Sequence, residues 1–165
     1  VPLKTLKGIY FSLFHFYLAY GCLVWGYASK CDLRRLYLIQ KWIIRVITSS
    51  DYYERTSPLF ARLKILKLED LIQLHRYLLL YDWNKGDLPL SLQRLFAFQT
   101  HKRTTRSSGH KVLHTPYTRT VIYGDRSLRH SGPDLFNNIL NINVDLNLNK
   151  SQFKKHLHAL LTAKY

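Results

Sequence analysis

The chain has 165 residues, 47% of them hydrophobic, which suits one domain or a domain with a small appendage. Its 25 lysines and arginines against 10 acids give a formal net charge of +15. So one-sided an excess excludes an ordinary neutral domain and points to a polyanionic partner: RNA, DNA or an anionic membrane surface. Cys22 and Cys31 are too few for a disulfide framework and lack the paired spacing of a zinc knuckle, so they read as reduced, buried thiols of an intracellular protein, nuclear or cytoplasmic. The absence of methionine and a valine at position 1 suggest a piece of a longer reading frame; no charged leader with a cleavage site indicates secretion.

From Gly8 to Ser29 no charged side chain interrupts the run, and Lys7 and Lys30 flank it. The length suffices to span a bilayer, but aliphatics are few, and Ser12, His15, Gly21, Gly26 and four tyrosines dilute the hydrophobicity. The preferred reading is a core helix, apolar nearly all round and covered by other helices. Gly26 to Asp32 supplies a turn, and Asp32 is expected to cap the next helix. There Leu33, Leu36, Tyr37, Ile43, Ile44 and Ile47 recur at three- and four-residue steps and make a core stripe. Arg34, Lys41 and Arg45 fall on nearly one line of the exposed face, with Arg35 beside it. Such a ridge tracks a phosphate backbone, although a few exposed cations are also ordinary solvation.

Pro58 fits the first turn of a short helix, PLFARLKI. Leu68 to Trp83 opens with Glu69 and Asp70, where the helix dipole favours acids, and is expected to bury Leu68, Leu71, Ile72, Leu78 and Leu79. Asn84 to Gly86 end it, and LPLSLQRLF forms another short helix. Residues 1–98 are therefore expected to be a helical bundle. Beyond Phe98, Val112 to His114 and Arg119 to Tyr123 read as short strands, Gly124 and Asp125 as a turn, Ser127 to His130 as a returning strand, and Gly132–Pro133 as the close of a small β-hairpin region. DLFNNIL gives one or two helical turns. The Asn-rich stretch after it is a loop, and Ser151 caps a final helix with Phe153, Leu157, Leu160 and Leu161 as its packing stripe. The fold class is mainly α: a helical bundle, then a basic segment (99–165) with a β-hairpin and a terminal helix.

Charge concentrates from His101 to His130, where Lys102, Arg103, Arg106, Lys111, Arg119, Arg126 and Arg129 face a single acid, Asp125. Tyr117 and Tyr123 interleave with those cations, so the segment can stack bases while guanidinium groups hold phosphates; the plainer reading makes the tyrosines cross-strand packing partners. Catalytic chemistry finds no support. Glu69 and Asp70 are the only adjacent acids and suit a helix start, and there is no phosphate loop, nucleophile elbow or HExxH. His101, His110, His114 and His130 lack an acid or cysteine at ligand spacing, so polar surface or phosphate contact is expected of them rather than a metal.

The succession YLAYGCLVWG, LRRLYLIQKWIIRVIT, SPLFARLKILKLEDLIQLHRYLLLYDW, TRSSG, SLRHSGPDLFNNI and SQFKKHLHALL resembles the C-terminal part of the reverse transcriptase of jockey-like non-LTR (LINE-type) retrotransposons, over nearly the whole chain. The resemblance implies that residues 1 to about 95 are the helical thumb that follows the palm and grips template and primer, with a post-polymerase segment after it. The family's aromatic-Ala-Asp-Asp motif, which binds catalytic magnesium, does not occur here, so this segment is expected to be non-catalytic and without a cofactor of its own. Phe136 stands where the family commonly has a tryptophan. The implied partners are RNA or an RNA/DNA hybrid and the palm of the same parent chain. The competing reading is a structural basic helical protein, attached to a membrane through residues 8–29 or docked on another chain.

Overall fold

A computed structural model describes residues 1–99, 112–141 and 148–165. The described chain is mainly helical and divides into two compact units, Val1–His75 with Lys154–Tyr165, and Arg76–Phe153. Helix α1 (Leu3–Ile9) runs into a π-helical turn, Tyr10–His15, followed by α2 (Phe16–Ala19) and α3 (Cys22–Trp25). Gly21, at φ 61°, takes the left-handed conformation between α2 and α3, and the Trp25 indole N–H donates to the Tyr20 carbonyl (2.8 Å). The run is therefore broken into short pieces, and among the described residues no helix is long and apolar enough to cross a membrane.

The expectation that this run is covered all round is corrected. Tyr10, Leu18 and Cys22 are buried, but Ile9, Leu13, Phe16, Tyr17, Tyr20 and Val24 are exposed. An all-round apolar composition does not say how many faces find a neighbour. Cys31 is likewise exposed, not buried as expected, because it lies in the first turn of α4 (Lys30–Thr48) on the side away from the core.

Ser29, not Asp32, caps α4. Its hydroxyl accepts from the Asp32 backbone N–H (3.2 Å) and donates to the Asp32 carboxylate (2.6 Å), with the acid at the third helical position. The core of this unit gathers Tyr10, Ile44, Ile47, Leu59, Phe60, Leu63 and Ile65, joining the π turn, α4 and α5 (Thr56–Leu63). Pro58 lies in the first turn of α5 as expected. At the centre sits a residue the hydrophobic pattern hides. Gln40 is fully buried; its Nε2 donates to Tyr10 Oη and the Leu66 carbonyl, and its Oε1 accepts from the Leu68 N–H, each at 2.9 Å. The Lys67 N–H finds Tyr165 Oη (2.8 Å), which in turn donates to Asp70 (2.6 Å). The start of α6 (Leu68–Lys85) is thus capped by distant side chains rather than by a local serine or aspartate.

In α6 burial follows Leu68, Leu71, Ile72, Leu74, Tyr77, Leu80 and Tyr81, whereas the expected Leu78 and Leu79 are half-buried. Apolar side chains surround most of this helix, so periodicity alone does not single out its buried side. In the second unit Leu80, Phe96, Leu113 and Phe136 make the core, with Trp83 edge-on to Phe96 (5.6 Å) and Phe136 (6.0 Å). The short helix α7 (Leu90–Gln93) is tied in by the Trp83 indole N–H on the Gln93 carbonyl (3.0 Å).

The expected β-hairpin is not found among the described residues. Phe98 and Leu113 form an isolated antiparallel bridge, Val121–Asp125 is a π-helical turn, and α8 spans Leu128–Asn141 with Pro133 inside it. The reason is the spacing of the apolar groups. Leu128, Gly132, Leu135 and Phe136 recur at helical steps onto Phe96 and Leu113, and that burial outweighs the β tendency of the short aromatic runs. On its other side Leu113 is bonded by a side chain instead of a strand: its N–H donates to Asn137 Oδ1 (2.9 Å), and Asn137 Nδ2 donates back to its carbonyl (3.2 Å). Helix α9 (Lys150–Thr162) follows Asn149, whose carbonyl accepts from the Phe153 N–H (2.8 Å), so Ser151 lies inside the helix it was expected to cap. Phe153, Leu157 and Leu161 are buried, and Leu160 is exposed.

Candidate nucleic-acid interface

Helix α4 is held by one face, and that fixes what the other displays. With Gln40, Ile44 and Ile47 turned inward, Arg34 and Arg35 are exposed and Lys41 and Arg45 half-buried. At 100° per residue Arg34, Lys41 and Arg45 fall within about 40° of one another, as the sequence suggests. Arg35 does not adjoin them: Leu38 and Trp42 lie between, both more than half exposed. The surface is a cationic edge, an apolar and aromatic strip, and a second cation. Trp42 is the residue the sequence reading passed over, although a tryptophan on the polar side of an amphipathic helix is itself a signal.

Two of these cations are also engaged within the protein. Arg45 donates through Nε (3.3 Å) and Nη2 (3.1 Å) to the Glu54 carbonyl and lies 5.6 Å from the Tyr52 ring centre, fastening the loop after α4. Lys41 Nζ sits 4.4 Å over the ring of Tyr37. Burial, then Glu69 and Asp70, hold the Tyr37 hydroxyl above its ordinary pKa, so the ring under that lysine stays neutral. Arg34 and Arg35 are the members of the set with exposed side chains.

The second unit displays Tyr117, Arg119 and Arg129 to solvent, with Arg126 half-buried. They come from the segment before the π turn, from the residue that ends that turn (Arg126) and from α8, not from two strands of a hairpin. The local acids are occupied by structure: Thr118 donates to Asp125, Thr115 to Asp134 (3.1 Å), and His130 lies 4.0 Å from Asp125 and 3.7 Å from Asp134. Lys102, Arg103, Arg106 and Lys111 lie outside the described residues, as does the side chain of Tyr123. Among the described residues no three His, Cys, Asp or Glu side chains are grouped to hold a metal.

One further cluster was not singled out by the sequence reading. His15, His75 and His158 line a cavity of about 300 Å³ in the first unit together with Lys64 and Lys154. The wide π turn contributes by bringing His15 to within 6.1 Å of Tyr10, five residues earlier, ring to ring. All three histidines are held below the ordinary imidazole range, first by burial and then by their histidine and lysine neighbours, Lys154 among them in each case.

Against known proteins, the chain is 34% identical over 56 residues to the probable RNA-directed DNA polymerase from transposon X-element of Drosophila melanogaster. That stretch is 34% of this chain and 6% of the fly protein. No family model and no solved structure matches the chain. The comparison therefore makes this segment similar, over a third of its length, to a small part of a transposon polymerase.

Proposed function

We propose that this chain is a non-catalytic, nucleic-acid-gripping part of a retrotransposon RNA-directed DNA polymerase, holding a template-primer hybrid or the element's own RNA. The observation that carries the reading is the outer face of α4, where exposed Arg34 and Arg35 precede exposed Trp42 by about two helical turns in a protein of net charge +15. Cations beside an aromatic plate are the chemistry of backbone neutralisation combined with base or sugar stacking. Arg119, Arg126 and Arg129 with Tyr117 offer a second surface of the same type. The similarity to a transposon polymerase supports the substrate class. Magnesium and the aspartates that bind it belong to the palm of such a parent protein. The exposed apolar side chains Ile9, Leu13, Phe16, Tyr17, Tyr20 and Val24 suit docking on that palm.

Binding of the chain to an RNA/DNA hybrid, followed across a salt series, tests this. With about six phosphates engaged, affinity falls on the order of a thousandfold between 50 and 200 mM salt. Affinity that ignores salt, or no binding at 50 mM, contradicts the proposal. The competing structural reading, a basic protein that attaches to membranes, instead requires binding to anionic vesicles in preference to the hybrid.

A further inference from the structure

The histidine cavity of the first unit is not used by the surface of α4. It is built from four separate parts of the chain: His15 from the π turn, Lys64 from the residue after α5, His75 from α6, and Lys154 and His158 from α9. No aspartate or glutamate is among its lining residues. Leu71 and Leu74, both buried, supply apolar wall. At about 300 Å³ it stands at the small end of ligand sites, about 300–1,000 Å³. Five nitrogen-bearing side chains converging on one small, partly apolar space, with no acid to neutralise them, form an arrangement that an entering oxyanion relieves.

We propose that this cavity binds one phosphate-like oxyanion, held by Lys64 and Lys154 and by His15, His75 and His158 as their rings take up protons. The inference stands without the nucleic-acid reading. The groups that act electrostatically on the three rings are Lys154, Lys7 and the rings themselves, all cationic or neutral. Lys7 donates to the Leu63 carbonyl (2.5 Å), which holds that charge near α5. Burial first, and then repulsion from Lys154 and the other neighbours, disfavours protonation of the empty cluster, and a bound anion opposes that preference. Binding and proton uptake are therefore linked, and the site strengthens as pH falls.

The test is calorimetric titration of the full chain with sulfate, an anion whose charge stays constant across the range, at pH 5.5, 6.5 and 7.5. The expected result is affinity rising by up to about tenfold per pH unit for each histidine protonated on binding. The variants His158→Asn and Lys154→Gln, at half-buried and exposed positions, are expected to weaken binding at least tenfold and to flatten its pH dependence. Arg94→Ala, at an exposed position of the second unit, is expected to leave both unchanged. Sulfate affinity that is level from pH 5.5 to 7.5, or that falls equally in all three variants, overturns the proposal as mere attraction to a basic surface. Displacement of sulfate by inorganic phosphate identifies a free-anion site, and displacement by a 5′-phosphorylated but not a 5′-hydroxyl oligonucleotide identifies a nucleic-acid end. Failure of both competitors overturns it.

Discussion

Replacing Gln40 by leucine keeps the volume of the side chain and removes its amide, and the structure sets the cost. The substitution strands the Leu66 carbonyl and the Leu68 N–H at the start of α6 and takes a donor from Tyr10 Oη, all in a fully buried place. Each stranded group costs about 1–3 kcal/mol, and the apolar gain from a buried leucine returns about 1.5–3 kcal/mol. The net loss is about 2 kcal/mol, a sizeable share of the roughly 5–15 kcal/mol that stabilises a domain. Urea unfolding measures it as a lower midpoint at unchanged slope. Leu38→Ala, on the exposed side of the same helix, serves as control and is expected to stay within about 0.5 kcal/mol of the parent. A Gln40→Leu protein within about 1 kcal/mol of the parent refutes the view that this amide organises the joint between α4 and α6.

Tyr10 supplies a second prediction. Burial pushes its pKa up to about 12, with the Gln40 bond opposing. A phenol whose pKa is raised in the folded state contributes stability fully present below pH 10, the unfolded value, and lost as pH rises through about 12. Stability followed from pH 9 to 12 is expected to fall less steeply in Tyr10→Phe than in the parent; equal slopes contradict the burial argument. A third concerns α8. A methyl group on Gly132 would meet the ring of Phe96 at 2.5 Å, so Gly132→Ala is expected to destabilise by about 1–3 kcal/mol in thermal or urea unfolding, and a neutral outcome contradicts the observed packing.

The elements that the sequence made legible are those whose signals are local. Helix α4 itself, Pro58 at the start of α5, the acids at the head of α6 and Gly86 at its end all follow from neighbours within one or two turns. What escaped depended on distant partners. Gln40 looks like a surface residue until Tyr10, Leu66 and Leu68 are brought around it, and the hairpin of residues 112–130 dissolves once Phe96 and Leu113 offer α8 an apolar bed. Of the candidate interface, the basic line on α4 was readable from a period of 3.6 residues. Its division by Leu38 and Trp42 and the tethering of Arg45 to Glu54 were not, because both depend on where the helix rests against its neighbours. The histidine cavity assembles four segments distant in sequence, for which no spacing rule exists.

The outer face of α4 carries the proposed contact with the phosphate backbone. Equilibrium binding of an RNA/DNA hybrid by the parent chain and by the double variant Arg34→Ala/Arg35→Ala, each over a salt series, addresses it directly. If the two arginines neutralise two phosphates, the variant binds every hybrid sequence more weakly to a similar degree, and its plot of log affinity against log salt is shallower by about 1.8. An unchanged slope, or a loss confined to particular sequences, contradicts the assignment of this face to the phosphate backbone.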